Sequence, residues 1–419
     1  MRKLPGPEGE SLATLFSDID GDGNLDLIVG NDLAPPDAIY LGNGTGGLDL
    51  IKKSDGIIPK TTAFTMSIHS ADLDNDLIPE LFFGSISKRD KPGEKGMSRK
   101  MPPQELCAGI ADKTTRARCE KFHQFRGNIR PAVFKDEIRL CNQLSDQDER
   151  DACIAQNIVQ TATHRTKDEK LCRLPKGWEY LQKVCNAHFD EKIQPGEAEL
   201  KEGIPQIMRD NVLLKRNESG GFDDRVKEFG LDRSGWTWNA KFADLDNDGW
   251  QDLYVANGWI MRLKTESNFF YRNIKGKVFK DETEESGLSL NLSTPSYTYI
   301  DIENDGDLDI IAAPSAGPLS VFINQSKPKK SIAFELNDKR GNFYGVGSRI
   351  VIKYGDGKHQ MREIQSSGGY LSYDAPVAYF GLGDETTVKS VEVLWSTGEK
   401  SLIETEFRAG ARYIISRPK

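Results

Sequence analysis

A nine-residue acidic loop recurs four times in this chain, and that recurrence constrains its fold more than any other feature. The copies read DIDGDGNLD from Asp18, DLDNDLIPE from Asp72, DLDNDGWQD from Asp244 and DIENDGDLD from Asp301. Each places a carboxylate at loop positions 1, 3, 5 and 9. The starts lie 54, 172 and 57 residues apart, so a unit of about 55 residues is interrupted once, by an insertion spanning residues 88–203. Self-similarity at such a period marks a repeat architecture.

Short runs rich in β-branched and aromatic residues follow every loop. LDLIVG, ELFFGSI, DLYVANG and LDIIAA come first, then AIYLGNG, NVLLKRN, NFFYRN and SVFINQ. In three units a glycine turn leads into a further run. Bounded by Gly, Asn and Asp, these segments read as strands, about four to a unit. A single four-stranded sheet cannot bury both faces until neighbours stack on it. The predicted fold is therefore mainly β, with β-propeller-type four-stranded blades in residues 1–87 and 204–327. The phased pattern over 11–87 and 204–325 resembles the FG-GAP or VCBS repeat family, whose blades occur in integrin-like and bacterial extracellular proteins.

Carboxylates at alternate positions of a tight loop repel one another unless a hard cation lies between them, and an all-oxygen donor set suits Ca²⁺. An EF-hand is excluded, because it needs Glu at position 12 and a following helix; position 12 here is Val29, Phe83, Val255 or Ala312, and strand sequence follows. The candidate ligands of the first loop are Asp18, Asp20, Asp22, Asn24 and Asp26, and those of the second are Asp72, Asp74, Asp76 and Glu80. The third offers Asp244, Asp246, Asp248, Trp250 and Asp252, and the fourth Asp301, Glu303, Asp305, Asp307 and Asp309. Position 7 varies in type, as a ligand acting through its backbone carbonyl can. A carboxylate at position 9 matches the calcium loop of the FG-GAP blades that the chain resembles. Leu77 stands where the other loops have Gly23, Gly249 or Gly306, which predicts a weakened second site. Four carboxylates leave a cation little open coordination, so the expected metal role is structural and no catalytic residue is expected.

All six cysteines fall within the insertion. Three cognate helix-compatible pieces hold Cys107 and Cys119, Cys141 and Cys153, and Cys172 and Cys185, at spacings of 12, 12 and 13. Six cysteines allow 15 connectivities; the internal symmetry favours pairing within each piece, stapling one helix to the next. Disulfides imply an oxidising compartment, so a secreted or periplasmic location is expected. The N-terminal MRKLPGPEGE contains no apolar signal core.

Residues 328–419 lack the acidic loop and read as a separate all-β domain. GVGSRIVI (Gly345, Gly347, Arg349), SGGYLS (Gly368, Gly369, Tyr370), FGLG (Gly381, Gly383) and VEVLWSTGE (Trp395, Gly398) resemble the ASPIC/UnbV module, the C-terminal domain of proteins similar to the cartilage acidic protein family. Repeats followed by this module is that family's order. The resemblance implies an extracellular role in binding or adhesion and transfers no catalytic residues.

A net charge of -8 argues against a nucleic-acid partner, and no apolar run approaches the roughly 18–20 residues that span a bilayer. GNGTGG at Gly42 fits a dinucleotide fingerprint but is followed by strand rather than helix. The expected function is thus a calcium-stabilised binding, adhesion or scaffold module for a protein or glycan ligand. The alternative is an enzyme whose pocket lies at the propeller mouth, where polar groups would converge.

Overall fold

The structure is a computed structural model. It describes residues 4–6, 10–32, 35–87, 201–258, 267–315, 317–326, 329–366 and 369–418, together with much of 138–189. Cys107, Cys119 and Trp259 lie outside the described residues.

Four antiparallel sheets follow one another along the chain. The first consists of Glu10–Ser17, Asp26–Asp32, Ala38–Gly42 and Leu48–Leu50, each strand hydrogen-bonded to the next. The second takes Thr65–Ala71 and Glu80–Ser85 from before the insertion, and Val212–Arg216 and Phe222–Asp224 from after it. The third runs Thr237–Ala243, Asp252–Asn257, Phe269–Asn273 and Phe279–Asp281. The fourth has three strands among the described residues: Ser296–Ile300, Asp309–Ala313 and Ser320–Phe322. Only its unit lacks the glycine turn leading to a fourth apolar run.

Side chains alternate across a strand, and here both faces find a neighbour. Phe83 and Leu214 of the second sheet pack with Ile28 and Ile39 of the first. Their sequence neighbours Phe82 and Leu213 point the other way, onto Phe242 and Val255 of the third. Tyr254 and Phe270 of the third sheet meet Tyr297, Tyr299 and Ile310 of the fourth. A strand buried on both faces needs continuous rather than alternating apolar character, which is why ELFFGS and DLYVAN show no alternation. The first strands of successive sheets lie side by side.

In the insertion, Cys141 at the end of helix Ile138–Cys141 is disulfide-bonded to Cys153 in helix Gln147–Gln160, and Cys172 to Cys185. Both pairs follow the symmetry of the sequence pieces.

The C-terminal domain has two sheets. Lys330–Asp338 pairs antiparallel with Val377–Gly383 and parallel with Arg412–Arg417. Arg349–Tyr354 lies between Lys358–Glu363 and Thr387–Leu394, and the latter also pairs with Lys400–Ile403 and Phe407–Arg408. Phe334, Ile350, Ile352, Phe380, Val391 and Trp395 form its core. The domain is separate in sequence but not in space. It lies across the ends of the first strands of the preceding sheets, where the acidic loops emerge.

Candidate metal loops and the domain that covers them

The four loops share one backbone conformation. Position 4 is left-handed in each, at Gly21, Asn75, Asn247 and Asn304, and so is position 6, at Gly23, Leu77, Gly249 and Gly306. The position-6 N–H donates to the position-1 carboxylate in all four, at 3.2, 3.1, 2.8 and 3.1 Å. The position-7 N–H donates to the position-5 carboxylate, at 2.7, 2.9, 3.0 and 3.3 Å. These bonds hold each loop curled, and in the first and third the position-1, -3 and -5 side chains converge.

Position 9 does a second job. Asp26, Asp252 and Asp309 each accept the position-2 N–H on one oxygen and, on the other, an N–H from the end of the third strand or just beyond it, that of Gly42, Asn273 or Asn324. The position-9 carboxylate therefore ties its loop to the sheet.

Among the described residues, ligand atoms of Asp18, Asp20 and Asp22, of Asp72, Asp74 and Glu80, and of Asp244, Asp246 and Asp248 lie within 4.8 Å of one another. Asp26 and Asp252 stand outside these groups, and the fourth loop forms none. Burial raises the carboxyls of Asp26, Asp72, Glu80 and Asp244 to about 7. Asp252 is raised well above the ordinary carboxylate range, first by burial and then by repulsion from Asp244. Asp307 is raised to about 7 by burial and by Asp305. A compact, all-oxygen set of carboxylates fits a hard divalent cation in the first and third loops; Asp244 and Asp246 are buried and Asp248 half-buried, while in the first loop Asp18 is buried, Asp20 half-buried and Asp22 exposed.

Leu77 adopts φ 68° without the freedom of glycine, and its side chain is exposed. We expect Leu77→Gly to stabilise the protein by about 0.5–1 kcal/mol, the left-handed penalty less the flexibility that glycine adds to the unfolded chain. A lower melting temperature for that variant would contradict the strain.

What sequence reasoning missed is how the C-terminal domain meets these loops. Arg349 pairs with Asp18 Oδ2 at 3.3 Å and donates to the Asp18 carbonyl. His359 Nε2 lies 2.8 Å from the Asn75 carbonyl, and the Gly381 N–H donates to Asp244 Oδ2 at 3.1 Å. Gly383 N–H donates to the Asn247 carbonyl at 2.9 Å. A Cβ on Gly381 would lie 2.2 Å from Asp244 Oδ2, so the close approach requires glycine there. The FGLG motif thus seats a backbone against the third loop.

Deeper in the same interface, Lys241 is 1% exposed and donates to Asp374 Oδ1 at 2.6 Å and to the Tyr297 carbonyl at 3.1 Å. Asp374 also accepts from Thr298 Oγ1 and from the Tyr299 N–H. Trp238 packs on Tyr370 of the C-terminal domain, with ring centroids 4.9 Å apart. A cavity of about 250 Å³ lies between the domains, lined by His69, Asp244, Arg362, Glu363 and Asp374 among others. His69 is held down to about 4 by burial, and its Nδ1 has no partner among the described residues. Arg362 is engaged by the carbonyls of Met361 and Tyr379 and by Gln360. GNGTGG is a hairpin turn, with Asn43 Oδ1 accepting the N–H groups of Thr45 and Gly47.

Comparison with known proteins agrees with these features. A family model described as an FG-GAP-like repeat matches residues 18–83, and one described as ASPIC and UnbV matches residues 338–419. Cartilage acidic protein 1 of Mus musculus is 30% identical over 165 residues, 38% of this chain and 25% of that protein. Its Homo sapiens counterpart is 29% identical over 164 residues, 38% of this chain and 24% of that protein. The match thus spans about a quarter of the length of these relatives. A solved leucine-rich repeat protein from Bacteroides thetaiotaomicron overlaps with a TM-score of 0.14 at 8% identity, covering 42% of this chain and 25% of that one, too slight to bear on the fold. With acidic loops of one shape on successive antiparallel sheets, and a two-sheet domain carrying the GVGSRIVI and FGLG motifs, the chain contains an FG-GAP-like repeat and a C-terminal ASPIC and UnbV domain and is similar to cartilage acidic protein 1.

Proposed function

We propose that this chain is a calcium-stabilised extracytoplasmic binding or scaffold module, its sheets being blades of a β-propeller and its C-terminal domain a cover locked over the blade loops. The observation that carries the reading is the convergence of Asp18, Asp20 and Asp22, and of Asp244, Asp246 and Asp248, in loops of one backbone shape. Those residues would hold Ca²⁺. The bound ion would supply positive charge at the joint between blade and cover. Two disulfides and the similarity to cartilage acidic protein 1 support an oxidising, extracellular setting.

The enzyme alternative draws on the cavity between the domains. Lys241 and Asp374 beside it neutralise each other, and Arg362 is spent on carbonyls and Gln360. No hydrogen bond from a lining hydroxyl to His69 is present among the described residues, so an activated nucleophile is not assembled. The scaffold reading accounts for more of the interface.

Equilibrium dialysis against 1 mM calcium, followed by elemental analysis, tests the proposal. About two ions per chain are expected, with one lost in Asp20→Asn and one in Asp246→Asn. A chain that binds no calcium under those conditions does not have this function.

A further inference from the structure

The second acidic loop contains a cation of its own. Leu27 pairs with Tyr40, Leu81 with Leu214, Leu253 with Tyr271 and Ile310 with Phe322. The next residue along the third strand therefore stands beside the position-9 carboxylate, and it is Leu41, Lys215, Arg272 or Ile323 in turn. In the second sheet the Lys215 ammonium bonds Asp74 Oδ2 at 2.5 Å, Asp76 Oδ2 at 2.9 Å and Glu80 Oε1 at 2.8 Å. An ammonium has three N–H donors, and all three are used, on loop positions 3, 5 and 9. Glu80 is the only Glu at position 9 of the four loops, and its side chain is fully buried. Its longer arm leaves one oxygen for Lys215 while the other accepts the Leu73 N–H at 2.9 Å. Burial opposes the charge of Lys215, yet the three carboxylates outweigh it and raise its pKa.

Arg272 differs. It reaches the third loop at Asp246 alone, where Lys329 Nζ also lies 3.2 Å from Oδ1, and turns its Nε to Glu282 at 2.8 Å; neither cation is hydrogen-bonded to Asp244 or Asp248 among the described residues. In the first and fourth loops the equivalent residues, Leu41 and Ile323, are apolar.

We propose that the second loop takes no calcium, because Lys215 is its permanent tethered cation. A divalent ion would have to displace an ammonium from the same oxygens or face it at a few ångströms. The arrangement has a structural logic. Asp74, Asp76 and Glu80 precede the insertion and Lys215 follows it, so their contacts join the two halves of the one sheet that the insertion interrupts. That sheet then closes without waiting for metal, while the loops on either side of it respond to calcium.

The inference rests on the calcium reading of the other loops only for its contrast, and the test separates the two. Lys215→Leu installs the residue that the first loop carries at this position. Calcium bound to the full chain is counted in wild type, Lys215→Leu and Asp74→Asn by dialysis and elemental analysis. Lys215→Leu is expected to bind one ion more than wild type, and Asp74→Asn the same number as wild type. An unchanged count in Lys215→Leu, or the loss of one ion in Asp74→Asn, overturns the proposal. Should Lys215→Leu fail to fold, Asp74→Asn decides alone where wild type binds calcium. Where wild type binds none, the reading of the first and third loops falls, and the tethered cation is decided by whether Lys215→Leu gains an ion.

Discussion

Adding a chelator to the intact chain is expected to lower its melting temperature by on the order of ten to twenty degrees. At a free ion concentration a hundredfold above the dissociation constant, each site contributes about 2.7 kcal/mol. Two sites, at Asp18, Asp20 and Asp22 and at Asp244, Asp246 and Asp248, contribute about 5 kcal/mol, and in a unit of this size 1 kcal/mol moves the midpoint by roughly 2–4 °C. Magnesium should restore little of it, because its smaller octahedral shell does not suit a loop of this kind. The effect has a pH signature. Asp26 and Asp244, in the two loops assigned an ion, rise to about 7 in the folded metal-free chain, above their unfolded values of roughly 4. The folded state therefore holds the extra protons, so metal-free stability falls as pH rises from about 4 through 7. Calcium favours the ionised form, and the stabilisation it brings should grow over the same window. A melting temperature indifferent to chelator at pH 8 would defeat the structural role of the metal.

The second large effect is expected at the joint between the repeat sheets and the C-terminal domain. Asp374→Ala strands the Lys241 ammonium, which is 1% exposed and among the described residues keeps the Tyr297 carbonyl and two tyrosine rings as partners. Breaking a buried pair from one side costs about 3–5 kcal/mol, because an unpaired charge stays buried. The Thr298 hydroxyl and Tyr299 N–H lose their acceptor as well. The denaturant midpoint should fall accordingly, and proteases should gain access to the connection between the fourth sheet and the domain. The double variant Lys241→Met with Asp374→Leu removes both charges and should recover most of the loss. A change below 1 kcal/mol in Asp374→Ala would mean that the domain does not depend on this lock.

Much of the fold was legible because its signals are local. Each acidic loop is nine residues long, and its curl depends on its own carboxylates meeting its own N–H groups, so the spacing of DIDGDGNLD already contains the geometry. The strands were legible for the same reason, as were the two described disulfides, whose partners lie 12 and 13 residues apart. The position-9 carboxylates were only half legible. A register of D-x-D-x-D-x-x-x-D shows that an acid is wanted at Asp26, but its second partner, the Gly42 N–H, comes from a strand 16 residues away. Lys215 was not legible at all, since NVLLKRN reads as an ordinary strand until its pairing with Glu80–Ser85 brings it beside Asp74.

By itself, the sequence determined the units: four acidic loops, the strands that follow them, the cysteine-bridged insertion and a final all-β domain. Tertiary structure decided what those units do to one another. It set Lys215 among the acids of the second loop, Arg349 against Asp18, the backbone of Gly381 against Asp244 and Asp374 against Lys241. The reason is physical: a loop's conformation is set by bonds to near neighbours in the chain. The charge that balances it may come from any residue the packing brings within about 3 Å, and chain separation carries no record of that distance.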